Sequence, residues 1–214
     1  MIKRKSILVR RPQDSREAFS KHWFGVHGKL VAQLPDISRY VQKHVIEEFP
    51  VNDPGTGTYD IDGFVELYFA DDHARRVAFT GERVTPIWND EVNFLGHSTA
   101  YVIAGDRAPD ANPTEPVLVI TAAGSATGME WLGQTLRKVA GVKLFDRHDV
   151  VEVVARATMA RGPQPVDVFF HLRFEEVSLA SAAGAWLALE GLRQAAAQGV
   201  SRLGIVRVEE KVVI

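Results

Sequence analysis

The sequence has no cysteine among its 214 residues. That one absence excludes disulfides, thiolate metal sites, iron–sulfur clusters and cysteine nucleophiles. Also missing is any apolar run near the roughly 20 residues that a membrane-spanning helix needs. The basic start, Met1-Ile2-Lys3-Arg4-Lys5, leads into a short alternating segment rather than a signal-peptide core, so a cytoplasmic protein is expected. Charge of one sign is not in excess either, with 25 Lys and Arg against 27 Asp and Glu and a formal charge of −2. Without a basic cluster interleaved with aromatics, neither nucleic acid nor membrane is expected as a partner. The chain carries no P-loop, Rossmann glycine fingerprint, Gly-x-Ser-x-Gly elbow or His-Glu-x-x-His, so nucleotide and serine-hydrolase chemistries lose their usual signatures. What is present is globular composition, 46% hydrophobic and 24% charged, which supports a packed core.

Periodicity orders the chain. Ile7-Leu8-Val9 reads as a strand, and Asp14 with Glu17 three residues on predicts a helix from about Ser15 to Pro35. Phe19, Trp23, Val26, Leu30 and Leu34 stack on one face of that helix. Strands follow at Ile37 to Ile46 and Phe64 to Phe69, separated by the breaker-rich run from Val51 to Gly57. A helix from about Asp72, interrupted near Gly81 and Pro86, resumes through Trp88 to Leu95, and Thr99 to Ala104 closes a βαββαβ series. Residues 106–116, with three prolines and few large apolar side chains, read as a linker.

The pattern then repeats. Val117 to Ile120 is a strand, Thr127 and Glu130 suggest a capping box, and Met129, Leu132, Leu136 and Val139 share a helix face. Strands near Val150 to Ala157 and Val166 to Phe174 flank a turn at Arg161 to Pro165. A helix capped by Ser178 stops at Gly199, and Leu203 to Val208 ends the set. The expected fold is α+β, with tandem ferredoxin-like βαββαβ repeats at 1–105 and 117–214.

Such a unit carries both helices on one side of its sheet, so the other side needs a cover. A second copy, from the same chain or another, would supply it and enclose a cavity. Along the second strand, Val41 and Val45 alternate with Tyr40, Gln42 and His44. Along the third, Val65, Leu67 and Phe69 alternate with Phe64, Glu66 and Tyr68. If both mixed faces point the same way, Tyr40, Gln42, His44, Glu66 and Tyr68 line the enclosed side; the alternative is that they face water. His22 and His27 fall on opposite edges of the first helix's apolar face. His27 lies beside Leu34, where an imidazole either exchanges protons with a ligand or simply bonds to backbone. Being five apart, the two are not the i, i+4 pair of a helical metal site, and no metal or other cofactor is expected. His148 and His171 read as ordinary strand or turn residues, and Asp90-Glu91 as solvated surface.

Taken in order, Phe19-x-x-x-Trp23-x-x-x-His27-x-x-Leu30, Leu34-Pro35, Tyr40-Val41-Gln42, Asp62-Gly63-Phe64-x-Glu66-Leu67-x-Phe69 and Asp90-Glu91-x-x-Phe94 resemble the EthD family of dimeric α+β barrel proteins. The resemblance covers about residues 3–104. It implies a barrel with a ligand cavity, built as a homodimer or as a pseudo-dimer within one chain, that acts in the catabolism of small organic compounds. In isomerase-like relatives a helix histidine and a strand tyrosine are proposed acid/base groups, and His27 and Tyr40 match those positions. On this reading the protein is a cofactor-independent isomerase or lyase for a small carbonyl or lactone compound. His27 would move the proton, Tyr40 would donate to the developing oxyanion, and His44 or Gln42 would assist, with Trp23, Phe64, Glu66 and Tyr68 around the ligand. The competing readings are a non-catalytic ligand-binding or accessory protein of an oxygenase system, and an oxidoreductase, the loose label that several family members carry.

Overall fold

The computed structural model describes residues 1–53, 55–104, 114–154 and 164–214. Eight strands close into an antiparallel barrel in the order β1-β3-β2-β8-β5-β7-β6-β4. They are β1 (Ile2–Arg10), β2 (Ile37–Glu48), β3 (Gly63–Phe69), β4 (Leu95–Ile103), β5 (Val117–Gly124), β6 (Leu144–Val154), β7 (Val168–Arg173) and β8 (Val200–Val212). Within each half the spatial order is the same, β4-β1-β3-β2 and β8-β5-β7-β6. The halves are sewn together by β2 against β8 and β4 against β6. One chain thus closes the barrel by itself.

Helices cover the outside. In the first half, α1 (Arg16–His22), a π-helical turn (Trp23–His27) and α2 (Gly28–Val31) follow one another without a break, and α3 (Asp72–Ala78) and α4 (Thr85–Glu91) follow β3. In the second half the cover is α5 (Ala126–Leu136) and α6 (Val177–Trp186). The helix face expected from periodicity is present at Phe19, Trp23 and Leu34, packed on Leu8, Val65, Leu67 and Phe69, but Val26 is exposed and Val31 is buried in its stead, because the π turn at Trp23–His27 shifts the phase of the helix. Cap positions differ by one or two residues from the sequence reading. Ser15 accepts from Ala18 N in place of Asp14, Ser125 accepts from Gly128 N in place of Thr127, and Glu176 precedes α6 in place of Ser178. Adjacent polar residues have similar cap propensities, and tertiary packing decides among them. Pro86 does not interrupt a helix but sits in the first turn of α4, where its missing N–H costs nothing. The linker at 106–116 and the turn at Arg161 to Pro165 fall mostly outside the described residues.

Eight strands give an interior just wide enough for side chains to fill. One end of that interior is apolar, with Ile7, Val45, Phe64, Tyr101, Val119, Phe169 and Val206 in contact. The other end is ionic. Lys5 Nζ donates to Glu66 Oε1 at 3.0 Å and lies 2.6 Å from His171 Nε2. Lys3 and Lys43 stand 3.6 and 3.7 Å from the same carboxylate, Tyr68 O–H donates to it at 3.1 Å, and Lys43 also pairs closely with Glu210. Arg173 clamps Glu210 with two bonds of 2.9 and 3.0 Å. Burial lowers all three lysines, Lys5 to about 8 and Lys43 well below the usual amine range. Burial alone would raise Glu66, but Lys3, Lys43 and Lys5 pull it well below the usual carboxylate range. An ionic core so placed joins residues from both halves.

Candidate functional site

The expected site residues divide between two places. Phe64, Glu66 and Tyr68 point into the barrel, whereas Tyr40, Gln42 and His44 point out under the helices. The register dictates this, since Tyr40 pairs with Leu67 and Gln42 with Val65, and directly opposed residues share a face. The premise that both mixed faces line one enclosed side is therefore corrected, and Glu66 and Tyr68 belong to the ionic core. The space where His27 and Tyr40 meet does not lie between the two halves. It is a cavity of about 30 Å³ between the first-half sheet and its own helices, lined by both residues together with Arg4, Ser6, Glu91 and Ser98 and by apolar groups such as Leu67, Phe79 and Ile87.

Two hydrogen-bonded chains lead to that cavity. The first runs along β2. Ser20 O–H is 2.7 Å from His44 Nδ1, His44 Nε2 is 3.0 Å from Gln42 Oε1, and Gln42 Nε2 donates to the Tyr40 hydroxyl oxygen at 2.6 Å. Because the amide oxygen accepts, His44 carries its proton on Nε2 and takes the serine proton at Nδ1. Each link then donates toward Tyr40, whose own O–H proton meets no acceptor among the described residues and is left for the cavity. Burial holds His44 neutral, its pKa lowered to about 3, and raises the Tyr40 phenol, so Tyr40 keeps its proton. His44 does not itself line the cavity; it stands two links behind it.

The second chain orients His27. Its Nδ1–H donates to Asp90 Oδ2 at 3.0 Å, and Asp90 Oδ1 accepts from His22 Nε2 at 2.9 Å. Fixing Nδ1 in this way leaves Nε2 as the cavity-side nitrogen, with no partner among the described residues. His27 is 5% exposed; burial lowers its pKa, against the pull of Glu91 and Asp90. Asp90, read from sequence as solvated surface, is instead a buried clamp on two imidazoles. The signal that could have found it was its position on the inward side of α4, four residues before Phe94, whose ring packs on both histidines.

Local packing builds the site. The π turn spans Trp23 to His27, and such turns recur at functional positions. Trp23 is fully buried, its ring tilted against His44 with centroids 4.3 Å apart, and lies so close to Gly63 that a methyl group there would overlap the indole. Gly28 in turn lets Gln42 approach the helix, where Gln42 Nε2 donates to Trp23 O at 3.2 Å. Trp23 and Gln42 thus sit behind the cavity wall. The corresponding layer of the second half is an apolar cluster that includes Leu118, Ile120, Met129, Leu132, Phe170 and Leu172. His148 and His171 point into the barrel, their rings 4.6 Å apart, and burial lowers both. Among the described residues no group of side chains has the composition of a metal site.

Residues 11–98 match the EthD domain family, a stretch that holds His22, His27, Tyr40, Gln42, His44 and Asp90. The family match falls within the first half of the chain. No curated protein matches the chain. Among solved structures, an anthrone oxidase-like protein aligns at TM-score 0.58 and 10% identity, covering 99% of this chain and 92% of its own. A candidate monooxygenase from Fusobacterium nucleatum aligns at 0.53 and 6% identity, over 99% and 93% of the two chains. An EthD family protein from Bacillus halodurans matches 50% of this chain and 100% of its own at 21% identity, with TM-score 0.38. The two full-length alignments share the barrel fold with this EthD-containing chain. No helix of the described residues is long and apolar enough to cross a membrane.

Proposed function

We propose that the EthD domain binds a small carbonyl or lactone compound beneath its helices and moves a proton on it, without a cofactor. The observation that carries this reading is that His27 and Tyr40 line one cavity while Asp90 fixes the His27 tautomer. His27 Nε2 takes a proton from the carbon next to the carbonyl, and the electron pair moves onto the carbonyl oxygen. Tyr40 O–H, aimed by Gln42 and His44 from a rigid strand, donates to that oxyanion. Return of the proton to another carbon gives isomerisation; departure of a β-substituent gives elimination. His44 and Gln42 act as positioning residues, Trp23 as their packing support.

The cavity at about 30 Å³ is room for about one water molecule, so ligand entry requires the helical layer to shift outward. The second reading, a binding or accessory protein without turnover, requires the same shift. We further take the two halves as tandem ferredoxin-like repeats, 1–105 and 117–214 joined by 106–116, of which only the first retains a site. A panel of small ketones and lactones, screened for deuterium uptake from heavy water, tests the chemistry. Uptake that disappears in His27→Gln and falls in Tyr40→Phe supports it. Binding without exchange, unchanged by Tyr40→Phe, supports the accessory reading. An absorption band of haem or flavin in the purified protein would instead favour an oxidoreductase.

A further inference from the structure

The base proposed above sits with its back to the protein. His27 is buried, and once a ligand fills the cavity, Nε2 is cut off from water. A proton taken from carbon and not returned to the ligand must then leave by the other ring nitrogen. Nδ1 has one partner, Asp90 Oδ2 at 3.0 Å, and the other oxygen of that carboxylate meets His22 Nε2 at 2.9 Å. His22 has a side chain 30% exposed against 6% for His27, so the chain runs from the cavity to solvent in two bonds. The imidazoles do not touch directly. Phe94, 1% exposed, lies between them with ring centroids 5.0 Å from His22 and 4.8 Å from His27, which leaves Asp90 as the polar route.

We propose that His22 and Asp90 form a proton exit from the EthD cavity, a role that rests on His27 being the base. The imidazolium formed on His27 passes its Nδ1 proton to Asp90 Oδ2. Asp90, now protonated, hands a proton to His22 Nε2 once His22 has exchanged through solvent to its Nδ1–H form and Nε2 has become an acceptor; His22 then releases the Nδ1 proton to water. One proton leaves the carbon and one reaches solvent; Asp90 is again a carboxylate and His22 again carries its proton on Nε2, while His27 moves its proton back to Nδ1 once the ligand has left and water reaches the ring. The charged surroundings suit the path. Glu91 faces His27 and favours its cationic form, and Asp14 senses His22 from the loop before α1. Asn93 Nδ2 donates to Asp90 Oδ1 at 3.4 Å, which steadies the carboxylate.

The test needs a bound ketone but no turnover. In NMR spectra the Nδ1 proton of His27, bonded to a carboxylate, is followed for its exchange with water, in the free protein and with a small ketone of the panel bound. In His22→Gln, which keeps an N–H donor for Asp90 but cannot carry a proton, exchange slows by about tenfold or more with the ketone bound, and added free imidazole restores it. Exchange as fast in His22→Gln as in the unaltered protein overturns the exit. So does slowing that imidazole fails to relieve, because the substitution would then have acted on packing. Asp90→Asn, which retains the side-chain shape, should slow exchange beyond the reach of imidazole; a His27 proton exchanging at the original rate in that variant also overturns the proposal. Failure of every panel compound to take up deuterium would count against the proposed function alone, since none of these rates depends on turnover.

Discussion

Consider replacing Glu66 by Gln, an almost isosteric change in the ionic core. Glu66 is 1% exposed and serves Lys5, Lys3, Lys43, His171 and the Tyr68 hydroxyl at once. The amide keeps the shape and one acceptor but removes the charge that holds three buried amines. Breaking one partner out of a buried ionic cluster costs about 3–5 kcal/mol. For a chain of this length each kcal/mol lowers Tm by roughly 2–4 °C, so Tm should fall by about 6–20 °C near neutral pH. The direction with pH follows from linkage. Without Glu66, the folded-state pKa values of Lys3, Lys5 and Lys43 drop further below their unfolded value. Between the two the unfolded chain holds more protons, and stability climbs with pH. The deficit of the variant therefore shrinks from pH 6 to pH 9, as the lysines become neutral in the folded protein. Below the unfolded carboxylate pKa the deficit shrinks for a different reason, because the unaltered protein loses the benefit of its own ionised Glu66. Thermal unfolding followed by circular dichroism at pH 6, 7.5 and 9 measures this. A Tm change under about 2 °C at pH 7.5, or a deficit of equal size at pH 6 and 9, would refute the reasoning.

Three further outcomes are expected. Gly63→Ala places a methyl group on the Trp23 ring and should destabilise by about 1–3 kcal/mol or more, read from urea midpoints; a neutral result would mean the indole moves freely. The unaltered protein should lose stability on acidification from pH 7 to 5, because burial depresses His148 and His171 below the value both have when unfolded, and unfolding takes up protons in that window. Replacing both by Gln should flatten that slope. Ser125→Ala removes the oxygen that accepts from Gly128 N at the start of α5 and should cost about 1 kcal/mol by thermal unfolding, whereas Thr127→Ala, one residue inside the helix, should cost less.

Which parts of this architecture sequence alone reveals can be traced to single residues. Phe19 and Trp23 marked the buried face of the first helix because one side of that helix faces water, and contrast makes a period visible. Strand β2 offered no such contrast. Both of its faces are buried, one under helices and one inside the barrel, so Tyr40, Gln42 and His44 were placed on the wrong side although their alternation was correct. Alternation separates two faces without saying which is which. Lys43, flanked by Val41 and Val45, was the overlooked clue, and with Glu66 between Phe64 and Tyr68 it announced an ionic interior. Resemblance pairs His27 with Tyr40, and the structure sets both on the wall of one cavity. Asp90 was not legible, since an Asp-Glu pair ending a helix has the pattern of surface until Phe94 and two histidines are brought over it. The reach of β8 to Val212 depends on pairing with β2 of the other half, and the early start of β6 at Leu144 on pairing with β7, neither of which a local run of residues encodes.

A barrel closed within a single chain escapes a constraint that binds any twofold assembly. In a symmetric pair each change of residue appears twice, so a lysine turned inward meets its own copy across the axis. Here Lys3, Lys5 and Lys43 come from one half, while Glu210, His171 and Arg173 come from the other, and their complementarity needs no twin. The same freedom lets the helical layer of one half keep a small cavity while its counterpart packs into an apolar cluster, a difference that identical subunits cannot hold.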